Sequence, residues 1–197
     1  MIGKYIKIKE KIYISRGAVL MLLLSLNSRR RSIYVSSILF AFFHECSHLC
    51  AALLMGITPL KIKILINGFE LFLQGVSNKK KLVIYLAGPS ASLLMYILFY
   101  EINPVVSKMN FLIFSVNILP ALPLDGGRIF YCITQNINIL KKMSRVCEII
   151  LYTLPFFEKE YIWLLPVTFL IHNSLNKMPY DIFVNDLIKR LEKESKI

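Results

Sequence analysis

Hydrophobic positions along the chain change period several times, and each change marks an element. Ile33 to Ile57 reads IYVSSILFAFFHECSHLCAALLMGI, an almost unbroken apolar run of 25 residues. As a helix it would extend roughly 37 Å, enough to cross a hydrocarbon core ~30 Å thick. Leu82 to Tyr100 is a second such run, with Ala87-Gly88-Pro89 early in its course. A Gly-Pro break in a membrane helix is tolerated where neighbouring protein or a wet cavity satisfies the released backbone groups; a packing kink is the plainer reading. A third run starts at Phe111 and reads FLIFSVNILPALPLDGGRIFYCI. Pro120, Pro123 and Gly126-Gly127 must interrupt it, which predicts an unwound stretch around Asp125 at mid-membrane depth.

Weaker apolar stretches run from Ile12 to Leu26, Val146 to Phe157 and Tyr161 to Leu175, giving about six membrane segments in all. The first follows a Lys-rich leader and is uninterrupted only from Gly17 to Leu26. It is expected to be a retained anchor with Arg16 snorkelling to the head groups, an interfacial helix being the other reading. The last two are expected to be short helices joined at Glu158 to Glu160. From Thr58 to Lys81 the period becomes two: KIKILI, then Asn67-Gly68, then FELFLQ. Asn-Gly between alternating runs predicts a hairpin pairing Ile66 with Phe69, Ile64 with Leu71 and Ile62 with Leu73. Such a hairpin is marginal alone and needs membrane or protein beneath it. Met178 to Ile197 places Tyr180, Val184, Leu187, Ile188 and Leu191 on one helical face, an amphipathic tail.

Composition agrees with a membrane solvent. Of 197 residues, 56% are hydrophobic and 18% charged, and the mean hydropathy is +0.58. The expected class is an all-α polytopic membrane protein with a membrane-associated β-hairpin: one domain over residues 1–175, the tail over 176–197, and no PDZ or CBS domain. A net charge of +12 could suggest nucleic acid. The basic residues instead flank apolar runs, where they orient the chain and meet anionic lipid. Eighteen of them fall on the side of both termini against five on the other, with Arg128 left in the membrane, so N- and C-termini are expected in the cytoplasm. Cys46, Cys50, Cys132 and Cys147 show no CxxC spacing, and packing is their expected role.

The chemistry lies in the first run. His44, Glu45 and His48 form HExxH in the middle of an apolar helix. Residues four apart share a face, so both imidazoles can close on one metal while Glu45, one step round, reaches a water on it. Zinc takes such a pair. Polar groups at that depth are costly and point to function; the bland reading is a buried pair making helix-to-helix hydrogen bonds. Asp125, in its Pro-bracketed break, needs a positive partner and lies at a comparable depth, so it is the expected third ligand, a capping role being the alternative. His172 is a weaker third ligand and is expected to be structural; Glu148 is expected to pair with Lys142 or Arg145.

His44-Glu45-Cys46-Ser47-His48, followed by Asn117-Ile118-Leu119-Pro120-Ala121-Leu122-Pro123-Leu124-Asp125-Gly126-Gly127-Arg128, resembles the site-2 protease family of intramembrane metalloproteases (M50 type), which carry HExxH and NxxPxxPLDGGR. The resemblance extends from about Ile12 to Leu175 and includes Ala87-Gly88-Pro89 and the hairpin. By compactness it looks most like the sporulation proteases that process a sigma-factor precursor. It implies one zinc per chain held by His44, His48 and Asp125, with Glu45 as catalytic acid/base, and substrate-positioning roles for Asn117, Pro120, Gly88 and Pro89. Many members carry Asn three residues after the Pro of GPxxN, where this chain has Ser92.

The expected function is hydrolysis of a peptide bond of a membrane-associated protein within or next to the bilayer, with regulatory membrane proteins as further partners and no nucleic acid. The substrate must first lose helix, and either the 60–74 hairpin or the stretch from Asn117 to Leu124 could hold it extended by edge pairing. Two other readings remain at this stage. One is a membrane-anchored protease cutting soluble chains, which expects HExxH near a helix end. The other is a non-catalytic metal-binding protein, scaffold or transporter, which would have no use for Glu45.

Overall fold

The computed structural model describes residues 5–9, 12–15, 31–59, 61–65, 68–72, 76–157 and 164–176. The tail after 176, the Glu158 to Glu160 joint and Asn67 of the expected turn lie outside them. The chain divides into two compact units, residues 1–118 and 119–197.

In the first unit, β1 (Tyr5–Lys9) and β2 (Ile12–Ser15) pair antiparallel, β2 runs parallel to β3 (Lys61–Leu65), and β3 pairs antiparallel with β4 (Gly68–Phe72). The order is β1-β2-β3-β4. Two expectations are corrected here. The stretch from Ile12 to Leu26 does not begin as a membrane segment: Ile12–Ser15 is a strand. The physical cause is visible in YIKIK and KIYIS, where Ile alternates with Lys, Tyr or Ser at a period of two, which fits a pleated strand and not a helix face. The parallel β2–β3 pair then needs a long crossover, and the intervening chain with its helix supplies one. The register of β3 on β4 also differs: Ile62 meets Leu71 and Ile64 meets Phe69, with Leu65 opposite Gly68. The connection therefore closes one residue earlier than Asn-Gly suggested.

The crossover carries α1 (Arg31–Leu54), and after the sheet come α2 (Asn78–Leu98) and α3 (Pro104–Asn117). The Lys79 to Lys81 cluster lies in the first turn of α2, with Lys79 and Lys80 exposed and Lys81 half-buried. Ala87-Gly88-Pro89 does not break α2, which runs through it with Pro89 inside. Asn103 starts α3: its Oδ1 accepts the Val106 N–H at 3.2 Å, and Pro104 follows at a position where a missing N–H costs nothing. Small polar groups tie the three helices together. Ser107 Oγ donates to the Tyr96 carbonyl at 2.9 Å, and Ser37 Oγ lies 3.5 Å from Met109 Sδ.

Two helices of the described residues are long and apolar enough to cross a membrane, Val35–Leu54 and Asn78–Leu98. Only 17% and 22% of their most apolar windows are buried, whereas the core helix of a soluble protein would be mostly covered. Leu39 is 60% exposed, Leu54 89% and Ile97 60%. Such uncovered apolar faces fit hydrocarbon as solvent.

The second unit contains α4 (Asp125–Thr134), α5 (Ile137–Phe157) and α6 (165–176). The interruption expected after Phe111 falls at residues 118–124, between α3 and α4. Asp125 is therefore the first residue of a helix and not part of the unwound stretch. The Leu122–Pro123 bond is cis.

Candidate metal centre

His44 and His48 lie one turn apart on α1 and are 2% and 5% exposed. Their rings stand edge to face, centroids 5.1 Å apart at 79°. Each is held through Nδ1 by α2. His48 Nδ1 sits 2.6 Å from the Ile84 carbonyl oxygen, and His44 Nδ1 sits 2.8 Å from Ser92 Oγ. A carbonyl can only accept, so the neutral His48 ring carries its proton on Nδ1 and presents the lone pair of Nε2.

Gly88 lies between those two anchors. A Cβ there would stand 2.2 Å from His48 Nε2 and 2.6 Å from His44 Nε2, so both ligand-capable nitrogens converge above a residue that has no side chain. Ile84, Gly88 and Ser92 recur at a spacing of four and form one row along α2. All three are buried, as is Pro89, whose missing N–H removes a rung of the helix at Tyr85. Of the two residues read from sequence as substrate-positioning, Gly88 thus lies at the floor of the histidine pair, and Pro89 is buried next to it in the chain. Glu45 follows His44 on α1 and is half-buried.

In the second unit Asp125 opens α4 and is 5% exposed. A carboxylate in the first helical turn is favoured by the helix dipole, and Arg128 one turn on lies 3.7 Å from its Oδ1. The loop before it is closely fitted. Leu122 N–H donates to Ser144 Oγ on α5 at 3.2 Å, and a Cβ on Gly127 would stand 2.5 Å from the Ala121 carbonyl carbon. The second glycine of the DGG motif is therefore required by backbone packed against it. Asn117 ends α3 with its Nδ2 donating to the Ile113 carbonyl at 3.0 Å, and Pro120 is half-buried in the loop.

His44 and His48 in the first unit and Asp125 in the second are each buried, and each offers a ligand atom of the kind a metal ion takes. Two imidazoles and a carboxylate are a donor set that zinc accepts while keeping a fourth position for water. His172 lies elsewhere in its unit, its Nδ1 2.7 Å from Glu148 Oε1 and its Nε2 3.0 Å from Asn176 Nδ2. Glu148 also meets Arg145 at 3.0 Å, the ion pair its position in the sequence suggested. The anchoring is not marked in the sequence by residue type: Ile84 acts through its backbone, and Ser92 stands out only as a departure from Asn. The spacing of four from Ile84 through Gly88 to Ser92 was the available signal.

No family model matches the chain. In sequence it is 27% identical over 151 residues to zinc metalloprotease MJ0392 of Methanocaldococcus jannaschii, covering 68% of this chain and 44% of that protein. The chain thus spans less than half the length of that relative. In structure it matches the site-2 protease from Methanocaldococcus jannaschii with a TM-score of 0.67 at 19% identity, over 88% of this chain and 93% of that one. The chain therefore has the fold of that site-2 protease, and in sequence it is similar to a zinc metalloprotease.

Proposed function

We propose that the chain is an intramembrane zinc metalloprotease that hydrolyses a peptide bond of a membrane-associated protein, with His44, His48 and Asp125 as metal ligands and Glu45 as acid/base. The observation that carries this reading is the convergence of both histidine Nε2 atoms over Gly88, each ring held from behind through Nδ1. When bound, zinc lowers the pKa of a coordinated water from about 15.7 towards about 7 and polarises a carbonyl. Glu45 takes the proton of the attacking water and passes it to the leaving amine. The buried histidine face and the apolar helices around it exclude bulk water, which strengthens these charge interactions.

β4 ends the sheet among the described residues and lies beside α1. In this reading its outer edge receives the substrate as an added strand, which removes the helical hydrogen bonds that shield a scissile carbonyl. Pro substitutions along β4 are expected to abolish cleavage while zinc stays bound; unchanged cleavage would remove the edge-pairing step. The paired motifs make a sporulation sigma-factor precursor the first substrate to try.

Glu45→Gln with a co-expressed candidate substrate tests the function. The expected result is zinc retained and cleavage lost by about 10²–10⁴-fold, the range general acid–base catalysis supplies. Unaltered function in Glu45→Gln would favour a transporter or scaffold, for which only the ligands matter.

A further inference from the structure

The two histidines are anchored by acceptors of different kinds. His48 is tied to a backbone carbonyl, which no side-chain change removes and which admits one tautomer. His44 is tied to the hydroxyl of Ser92, which can donate or accept. Ser92 is 1% exposed and His44 2%, so bulk water has no access to replace that hydroxyl. Ligation through His44 Nε2 puts the ring proton on Nδ1 and makes Ser92 Oγ its acceptor.

We propose that Ser92 is a positioning residue, whose hydroxyl holds His44 in the Nδ1–H tautomer and at the ring angle that aims Nε2 over Gly88. The proposal rests on the reading of His44 as a zinc ligand. It assigns a task to the position where many site-2 proteases have Asn: an acceptor one helical turn beyond the glycine floor, offered here by a shorter side chain. It also divides labour along α2. Ile84 fixes the distal histidine by backbone alone, Gly88 leaves room for both nitrogens, and Ser92 fixes the histidine adjacent to Glu45. Because Glu45 follows His44 directly on α1, a rotated His44 ring also moves the ion relative to the acid/base.

The test uses the full chain in detergent. Zinc affinity by chelator competition is compared between wild type, Ser92→Ala, and the isosteric pair Ser92→Thr and Ser92→Val, which differ only in hydroxyl against methyl. Loss of an outer partner of a metal-bound histidine costs about 10–100-fold in affinity. Ser92→Ala and Ser92→Val are expected to fall by that factor, and Ser92→Thr to stay within about threefold of wild type. Histidine ¹⁵N spectra of the zinc-loaded protein supply a second readout. The His44 Nδ1–H signal should shift in Ser92→Ala and Ser92→Val, while that of His48, bound to Ile84, stays in place. Equal affinity in the Thr and Val variants would overturn the proposal, as would equal displacement of both histidine signals, the mark of general disruption. A wild type that binds no zinc would defeat the protease reading itself, a distinct outcome.

Discussion

Replacing Gly88 by Ala probes the histidine pair with a single methyl group. The added carbon would stand 2.2 Å from His48 Nε2 and 2.6 Å from His44 Nε2, where ordinary van der Waals contact begins at 3.4 Å. His48 must therefore retreat by about 1 Å, against the ±0.2 Å tolerance of a metal–ligand distance. It cannot slide back freely, because Nδ1 is already 2.6 Å from the Ile84 carbonyl; His44 is likewise held at 2.8 Å by Ser92. Sacrificing both hydrogen bonds costs about 1 kcal/mol each, so about 2 kcal/mol, or roughly 30-fold in zinc affinity before any loss of ligand geometry is counted. The backbone effect has the opposite sign, since Ala in a helix interior is favoured over Gly by about 1 kcal/mol. The expected protein is thus folded, at least as helical as wild type, and at least ~30-fold weaker in zinc binding by chelator competition. Zinc affinity within threefold of wild type would refute the convergence of the two nitrogens over Gly88.

Gly127→Ala meets backbone and not a flexible side chain, with Ala121 atoms at 2.5 and 2.7 Å, so it should destabilise the chain by about 1–3 kcal/mol in denaturant unfolding. An unchanged midpoint would contradict the fit of the DGG loop. Ser144→Ala leaves the Leu122 N–H without its acceptor and, at a fully buried site, should cost about 1–3 kcal/mol by the same assay. His172→Ala should leave zinc content and cleavage at wild-type levels, because that ring is engaged with Glu148 and Asn176; loss of zinc would restore it as a ligand candidate.

How much of this was legible in the sequence depended on whether a signal resided in side-chain type or in backbone. HExxH announced itself, since only two imidazoles four apart with an adjacent carboxylate carry that chemistry. The interruption before Asp125 was equally plain, because Pro120 and Pro123 cannot sit inside a helix. The anchoring of the histidines was not. Ile84 acts through a carbonyl that every residue possesses, and Ser92 through a hydroxyl that is ordinary in any membrane helix. The N-terminal strands were hidden for another reason: lysines ahead of an apolar run resemble an export leader, and YIKIK is too short for its period of two to outweigh that likeness. The hairpin register was not legible because a shift of two keeps Ile62 and Ile64 opposite apolar residues in either pairing, so the hydrophobic pattern does not choose between them.

The measurement that bears most directly on the central claim is X-ray absorption at the zinc edge of the purified chain, paired with metal content in His48→Ala. The account predicts one zinc per chain with nitrogen and oxygen ligands at about 2.0–2.2 Å, lost in His48→Ala. A sulfur shell at about 2.3 Å would place the metal on the cysteines of α1 instead, and would contradict it.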